Sequence, residues 1–227
     1  MKISIVIPVI NEEATIAQAI DRAWTCGADE LIVVDGGSSD GTIELVQKLD
    51  CELKCGPLGR GPQMNLGAQS AHGAVLLFLH ADCWLPENAC QQIRTAAQST
   101  DLFWGGFRQR IENSAAKYRW LEAGNGWRAK WQRLIYGDQG MFINSELFRR
   151  VNGFPAQPLM EDLEISGTLR KISAPILLPG PVHVSARRWE RKGVVRQTFL
   201  NWSLVAKYRL GFTPQQLQRS YQRHDQP

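Results

Sequence analysis

Three aliphatic runs, Ile3 to Ile7, Leu31 to Val34 and Val75 to Leu79, each stop abruptly at polar or turn-forming residues. Runs that are apolar at nearly every position suit strands buried on both faces, the condition of a parallel sheet covered by helices. The third run is the most abrupt: Val75-Leu76-Leu77-Phe78-Leu79 gives way to His80-Ala81-Asp82, and Pro86 follows shortly after. Such a strand delivers a carboxylate to the C-terminal edge of the sheet, where open α/β sheets bind their ligands. Asp35 stands in the equivalent place after the second run.

Between the runs the pattern turns helical. Asn11 is placed to cap a helix over Thr15 to Trp24, with Glu12 and Glu13 near its positive end. Gly36-Gly37-Ser38-Ser39-Asp40-Gly41 provides a permissive turn before a helix around Ile43 to Leu49. Pro62 suits the start of a helix through Met64 to Ser70, Pro86 that of another through Ala97, and Phe103 to Arg108 reads as a further strand. The alternation predicts an α/β fold, and no internal repeat or low-complexity tract interrupts it. With 227 residues, 44% of them hydrophobic, the chain can bury one full core, so a single domain is expected over residues 1–212 with a polar, fraying tail at 213–227.

The formal net charge of +4 suits an anionic ligand or a membrane surface and does not require nucleic acid. No uninterrupted apolar segment approaches the roughly 20 residues of a spanning helix. The short apolar stretch before Pro8 is not a secretory signal, and five cysteines without repeated ligand pairs read as free thiols in a reducing cytoplasm. Cys51-x-x-x-Cys55, with no second pair and no nearby histidine, is set aside as a zinc site.

Two aromatic stretches carry open alternatives. From Ser114 to Leu134, a helical segment broken by Gly124 and Gly126 holds Tyr118, Trp120, Trp127 and Trp131, which serve either core packing or an aromatic wall of a substrate pocket. Val195, Phe199, Trp202 and Val205 recur at helical spacing, with Arg191, Lys192, Arg196, Lys207 and Arg209 nearby. This amphipathic segment, at about 190–212, either packs on the domain or rests on an anionic bilayer.

Carboxylates stand at element ends in three places: Asp35, Asp82, and Glu161-Asp162 at the start of a helical pattern from Leu163 to Lys171. A divalent metal with a diphosphate needs hard oxygen ligands, and a proton-abstracting base needs a separate carboxylate. The sequence offers both.

Ser4-Ile-Val-Ile-Pro8 with Asn11-Glu12-Glu13, Val33-Val34-Asp35-Gly36-Gly37-Ser38-Ser39-Asp40-Gly41-Thr42, His80-Ala81-Asp82 and Met160-Glu161-Asp162 follow in that order. Over most of its length the chain thereby resembles family 2 glycosyltransferases of the GT-A fold, inverting enzymes that use nucleotide sugars. Gly59-Arg60-Gly61-Pro62-Gln63-Met64-Asn65, Gly137-Asp138-Gln139-Gly140 and Ser185-Ala186-Arg187-Arg188-Trp189 resemble, more narrowly, a bacterial branch found beside radical-SAM and selenium-related genes. The resemblance implies an open, doubly wound, mostly parallel sheet flanked by helices.

It also implies roles. Pro8, Glu12 and Asp35 would border the nucleotide, with Asp35 on the uracil or its ribose, and Arg60 would meet the diphosphate through paired guanidinium donors. Asp82 matches the last acidic residue of the family's Asp-x-Asp element, whose carboxylate binds Mg²⁺ or Mn²⁺; its alternative is to cap the helix at Pro86. His80 stands where the first acidic residue would be, and as a neutral imidazole it would reach either the ribose or the metal, favouring Mn²⁺. Asp162 would be the catalytic base and Glu161 would either orient a basic or hydroxyl partner beside it or complement the helix dipole, Asp138 and Gln139 would bind sugar hydroxyls, and Arg188 and Trp189 would line the acceptor site. His183 is a candidate third metal ligand, against a structural role.

Ser185 replaces the glutamine of the polymerising members' Gln-x-x-Arg-Trp, which with the lack of spanning helices implies transfer of a single sugar. The implied reaction moves that sugar from a UDP-sugar to a hydroxyl of a lipid-like acceptor. The protein would work in the cytoplasm, peripherally at the inner face of the cell membrane. Two other readings stand beside it: a sugar nucleotidyltransferase, for which no Gly-rich Arg-Lys triphosphate loop follows the first strand, and a non-catalytic nucleotide-sugar sensor or membrane adaptor. A dinucleotide dehydrogenase is disfavoured because Gly36 and Gly37 do not complete the required fingerprint.

Overall fold

The aliphatic runs become the centre of a sheet. In the computed structural model, residues 1–99 and 101–220 are described, apart from the side chains at 99, 188, 191, 192, 219 and 220. In chain order, β1 (Ile3–Val9) is followed by α1 (Ile16–Thr25), β2 (Glu30–Asp35), α2 (Thr42–Val46), β3 (Glu52–Cys55), α3 (Arg60–Ser70) and β4 (Val75–Phe78). Next come β5 (Cys83–Trp84), α4 (Ala89–Ala96), β6 (Trp104–Ile111), α5 (Ala116–Gln132), β7 (Met141–Asn144), α6 (Ser145–Arg150), α7 (Glu161–Leu169) and β8 (Ile176–Val184). Then α8 (Arg187–Lys192), α9 (Val194–Arg209) and α10 (Pro214–Ser220) close the described chain.

Among the described residues the sheet has eight strands in the order β3-β2-β1-β4-β7-β6-β8-β5. The first four are mutually parallel, β7 and β5 run against their neighbours, and β6 and β8 are parallel to each other, so the sheet is mixed with six strands in one direction. Side chains on a strand alternate between faces, and this explains the continuous aliphatic runs. Ile5, Ile7, Val33 and Leu77 pack with Ile16, Ile20 and Ile93 from α1 and α4. Val6, Ile32, Val34, Leu76 and Phe78 pack with Met64, Leu147, Phe148 and Ile165 from α3, α6 and α7 on the other face.

Several expectations shift. Asn11 does not cap α1: it sits in the left-handed region (φ 53°) four residues before the Thr15 N-cap, and its side chain accepts instead from the Ser39 amide. The short strands β3, β5 and β7 had no long aliphatic signature. α5 passes without a break through Gly124 and Gly126, around which a Cβ would meet open space. Each glycine costs about 1 kcal/mol in a helix interior, and a 17-residue helix anchored by buried Tyr118 and Ala129 tolerates it. Tyr118 packs against Ile111 and Ala186, as the packing alternative expects, whereas Trp120, Trp127 and Trp131 face solvent and serve neither alternative. The tail is not all frayed: Leu217 of α10 is buried with Leu159 and Leu204, while residues 221–227 lie outside the described residues.

Candidate active site

The registers bring three strand ends to one edge, since Val9 pairs with Asp35 and Val6 with Phe78. Beyond that edge the loops are stitched together. Buried Gln63 of α3 donates from Nε2 to the carbonyls of Val9 and Val34, 2.8 Å each, holding the ends of β1 and β2. The amide of Asn11 donates to the Ser38 hydroxyl (2.8 Å) and that of Glu12 to the Thr42 hydroxyl (2.9 Å). Asp35 is 1% exposed, and its carboxylate accepts from the amides of Gly37 (2.7 Å) and Ser38 (2.9 Å) and from the Ser38 hydroxyl. Asp35 thus braces its own turn at the strand-end edge from which the cleft opens.

The cleft itself encloses about 440 Å³, within the range of small-molecule sites. Pro8, Glu12, Arg60, His80 and Asp82 line one side of it, and Asp138, Glu161, Asp162 and Trp189 also reach it. Ligand atoms of His80, Asp82 and Cys83 lie within 4.8 Å of one another. Burial, with the Asp82 and Asp138 charges nearby, pushes the Cys83 thiol well above its ordinary value. Without a metal Cys83 packs as a neutral thiol, and beside it the group offers one carboxylate and one imidazole. That pair fits a divalent cation of intermediate softness such as Mn²⁺ better than Mg²⁺, which prefers oxygen alone.

Asp162 is the second residue of α7, in its first turn after Met160 turns the chain in the left-handed region (φ 67°). A carboxylate is favoured there by the positive end of the helix. Its Oδ2 accepts from the Gly137 amide at 2.8 Å. A Cβ on Gly137 would lie 2.9 Å from His80 Nε2 and 3.6 Å from Asp162 Oδ2, so the imidazole and the carboxylate converge on one point. Tyr136 borders the same place: burial raises its hydroxyl above the ordinary tyrosine value, against the pull of Arg128, whose guanidinium stacks 3.5 Å from the ring centroid.

The sequence profile described as "Glycosyl transferase family 2" matches residues 4–154, which hold the strand ends and the His80–Asp82 station. The chain belongs to this family. A Mycobacterium bovis (strain BCG / Pasteur 1173P2) relative named PGL/p-HBAD biosynthesis glycosyltransferase is 29% identical over 213 residues, covering 87% of this chain and 80% of the relative. Staphylococcus aureus TarS 1–349, solved with UDP-GlcNAc, superposes with a TM-score of 0.64 at 17% identity over 82% of this chain. The match spans 58% of that TarS chain, less than two thirds. Glucosyl-3-phosphoglycerate synthase from Mycobacterium tuberculosis, solved with Mn²⁺, UDP and glucosyl-3-phosphoglycerate, gives a TM-score of 0.54 at 20% identity over 81% of this chain and 70% of that one. These two likenesses establish the fold, a mixed sheet flanked by helices of the GT-A kind.

Within this family 2 glycosyltransferase, some expected residues lie elsewhere. Gln139 is buried and committed: its Oε1 accepts from Arg128 (2.6 Å) and the Tyr136 amide (3.1 Å), and its Nε2 donates to the Phe107 carbonyl. It shapes the Gly137 turn. His183 lies 2.6 Å from Glu112 and stacks on Trp84, outside the group that His80, Asp82 and Cys83 form. Arg188 belongs to α8, but its side chain lies outside the described residues; neighbouring Arg187 lines the cleft. The sequence reading missed Gln63, Tyr136 and the α9 residues Asn201, Leu204 and Val205 as cleft walls. Leu204 and Val205 are apolar on a mostly apolar helix, so only the docking of α9 over the cleft distinguishes them.

Proposed function

We propose that this protein transfers a single sugar from a UDP-sugar to the hydroxyl of a lipid-like acceptor, with inversion at the anomeric carbon and Asp162 as the base. The observation that carries the reading is the convergence of Asp162 and His80 beside Gly137, with Asp82 and Arg60 in the same cleft. Asp162, held by the Gly137 amide, takes the proton of the acceptor hydroxyl onto a carboxylate oxygen as the hydroxyl oxygen attacks. A single displacement from the face opposite the nucleotide inverts the configuration. Arg60 orients the diphosphate through paired donors, and Pro8 and Glu12 border the nucleotide. Trp189 offers an aromatic face to the acceptor side.

His80 and Asp82 would hold a divalent cation, Mn²⁺ before Mg²⁺, and Mn²⁺ accompanies UDP in the glucosyl-3-phosphoglycerate synthase neighbour. When bound, the cation would offset charge developing on the departing diphosphate. The site of action is the cytoplasm, and the motifs shared with the radical-SAM-associated branch belong to this reading. The test screens UDP- and GDP-sugars for thermal stabilisation with and without Mn²⁺, then follows UDP release with extracted lipid acceptors. A Mn²⁺-dependent rise in melting temperature with one UDP-sugar is expected. Asp162→Asn should retain that rise and lose roughly 10²-fold to 10⁴-fold in turnover. Near-normal turnover by Asp162→Asn would overturn the base assignment, binding without turnover on any acceptor would favour the sensor reading, and pyrophosphate release from a nucleoside triphosphate would favour the nucleotidyltransferase.

A further inference from the structure

The strongest unexplained feature lies on the outer surface beside the cleft. α5 and α9 are tied at both ends: Tyr118 and Leu121 cluster with Ala186, Trp189 and Val194 near their starts. Near their ends Arg209 donates to Gln132 Oε1 at 3.1 Å. Both helices run from the Ala186–Trp189 cluster toward the Arg209–Gln132 bond, and with 17 and 16 residues each is about 25 Å long at 1.5 Å per residue.

Their outer faces are aromatic. Trp120, Trp127 and Trp131 recur on one face of α5, and Val195, Phe199 and Trp202 on one face of α9, all exposed, with Trp120 at 79% and Trp202 at 65%. The Phe199 and Trp202 rings meet edge to face at 5.8 Å, and exposed Leu210 and Phe212 extend the α9 stripe. Cations gather at the common end, where Lys130, Arg133, Arg170, Lys171, Lys207 and Arg209 are exposed. Glu164, the carboxylate on the facing turn of α7, accepts from the Tyr208 hydroxyl at 2.7 Å.

We propose that α5 and α9 together form a platform that seats on an anionic phospholipid bilayer. Tryptophan with a cation fringe is the chemistry of the membrane interface: indole rings settle at headgroup depth while lysine and arginine meet anionic headgroups. Protein interfaces deplete lysine, and three of these six cations are lysines. The inner face of α9 contributes Asn201, Leu204 and Val205 to the cleft, so a platform seated on lipid holds the cleft next to the bilayer. On the transferase reading this brings a lipid-borne hydroxyl close to the cleft; the seating does not depend on that reading.

The test sediments the whole chain with vesicles of phosphatidylcholine alone and of phosphatidylcholine mixed with phosphatidylglycerol. Binding should require the anionic lipid and weaken with salt. The double variant Trp127→Ala/Trp202→Ala should bind roughly tenfold or more weakly, and Arg170→Glu/Lys171→Glu should lose the preference for anionic vesicles. Stabilisation by UDP with Mn²⁺, measured on every variant, should match the parent and so report an intact fold and donor site. Absence of sedimentation with anionic vesicles, or equal binding by the tryptophan variant, would overturn the platform. So would a concentration-dependent dimer that the tryptophan variant dissolves, which would assign the surface to a second copy. Loss of UDP stabilisation in the parent chain with vesicle binding intact would instead overturn the donor reading and leave the platform standing.

Discussion

One side of the cleft is held by polar stitching and the other by apolar contact. On the strand-end side, Gln63 grips two carbonyls, Asp35 braces its turn, and the Asn11 and Glu12 amides reach across to Ser38 and Thr42. On the far side, α9 and α10 sit on Leu159 through Leu204 and Leu217, and the described side-chain bonds that tie α9 down lie at its far end, from Tyr208 to Glu164 and from Arg209 to Gln132. Buried, satisfied hydrogen bonds specify one geometry, whereas a small apolar cluster allows an element to shift at low cost. The contrast fits a rigid seat for a nucleotide of fixed shape, faced by a more adaptable wall for the acceptor.

Removing Gln63 should break the rigid side hardest. Gln63→Ala removes the side-chain amide from the buried carbonyls of Val34 and of Val9, which keeps the Gly36 amide, a loss of about 2 to 3 kcal/mol in unfolding free energy by chemical denaturation. UDP-dependent stabilisation should fall with it. On the adaptable side, Leu204→Ala should cost about 2 kcal/mol, the low end for a buried leucine, because α9 can settle into the space. It should raise the acceptor KM and leave UDP stabilisation unchanged. If both substitutions disturb donor and acceptor alike, the two sides are not independent and the contrast fails.

The same contrast explains what could be read in advance. β1, β2 and β4 announced themselves because each is buried on both faces and ends at polar residues, and His80, Asp82 and Asp162 stand at element ends where the chain must turn. The roles of Asp35 and Gln139 were not legible, because the same side chain serves a ligand or its own turn with equal chemistry. The bonds to Gly37, Ser38 and Arg128 give the structural half of that choice. β7 was hidden by its four-residue length, and the α9 cleft wall by a stripe whose apolar residues look alike until docking separates Leu204 from Trp202.

The seam between the two sides runs through Gly137. In Gly137→Ala the new Cβ would sit 2.9 Å from His80 Nε2, so the imidazole must swing away while the amide still holds Asp162. Displacing one member of a preorganised group costs roughly tenfold to a hundredfold in turnover. The loss should appear in Mn²⁺-dependent stabilisation as well as in kcat, with the melting temperature of the free protein nearly unchanged. A Gly137→Ala protein with normal Mn²⁺ dependence would mean that His80 takes no part in holding the cation.

The smallest effect is expected where the sheet's polar stitching is most remote from the cleft. Asp29 accepts from the Ile3 amide (2.8 Å) and pairs with Arg94 (2.6 Å) at the opposite edge from the strand ends. Burial alone would raise its pKa, but the Ile3 amide and Arg94 outweigh it and hold the carboxyl below its ordinary value. A depressed folded value stabilises the protein fully above the unfolded value of about 3.9 and loses that contribution as pH falls through the folded one. The pair is partly exposed, so Asp29→Asn should cost less than about 1 kcal/mol at neutral pH. It should also flatten the acid limb of stability below about pH 4, leaving turnover near neutrality untouched. A change in UDP stabilisation on that substitution would show that the two edges of the sheet communicate, and that the rigid side extends further than its hydrogen bonds indicate.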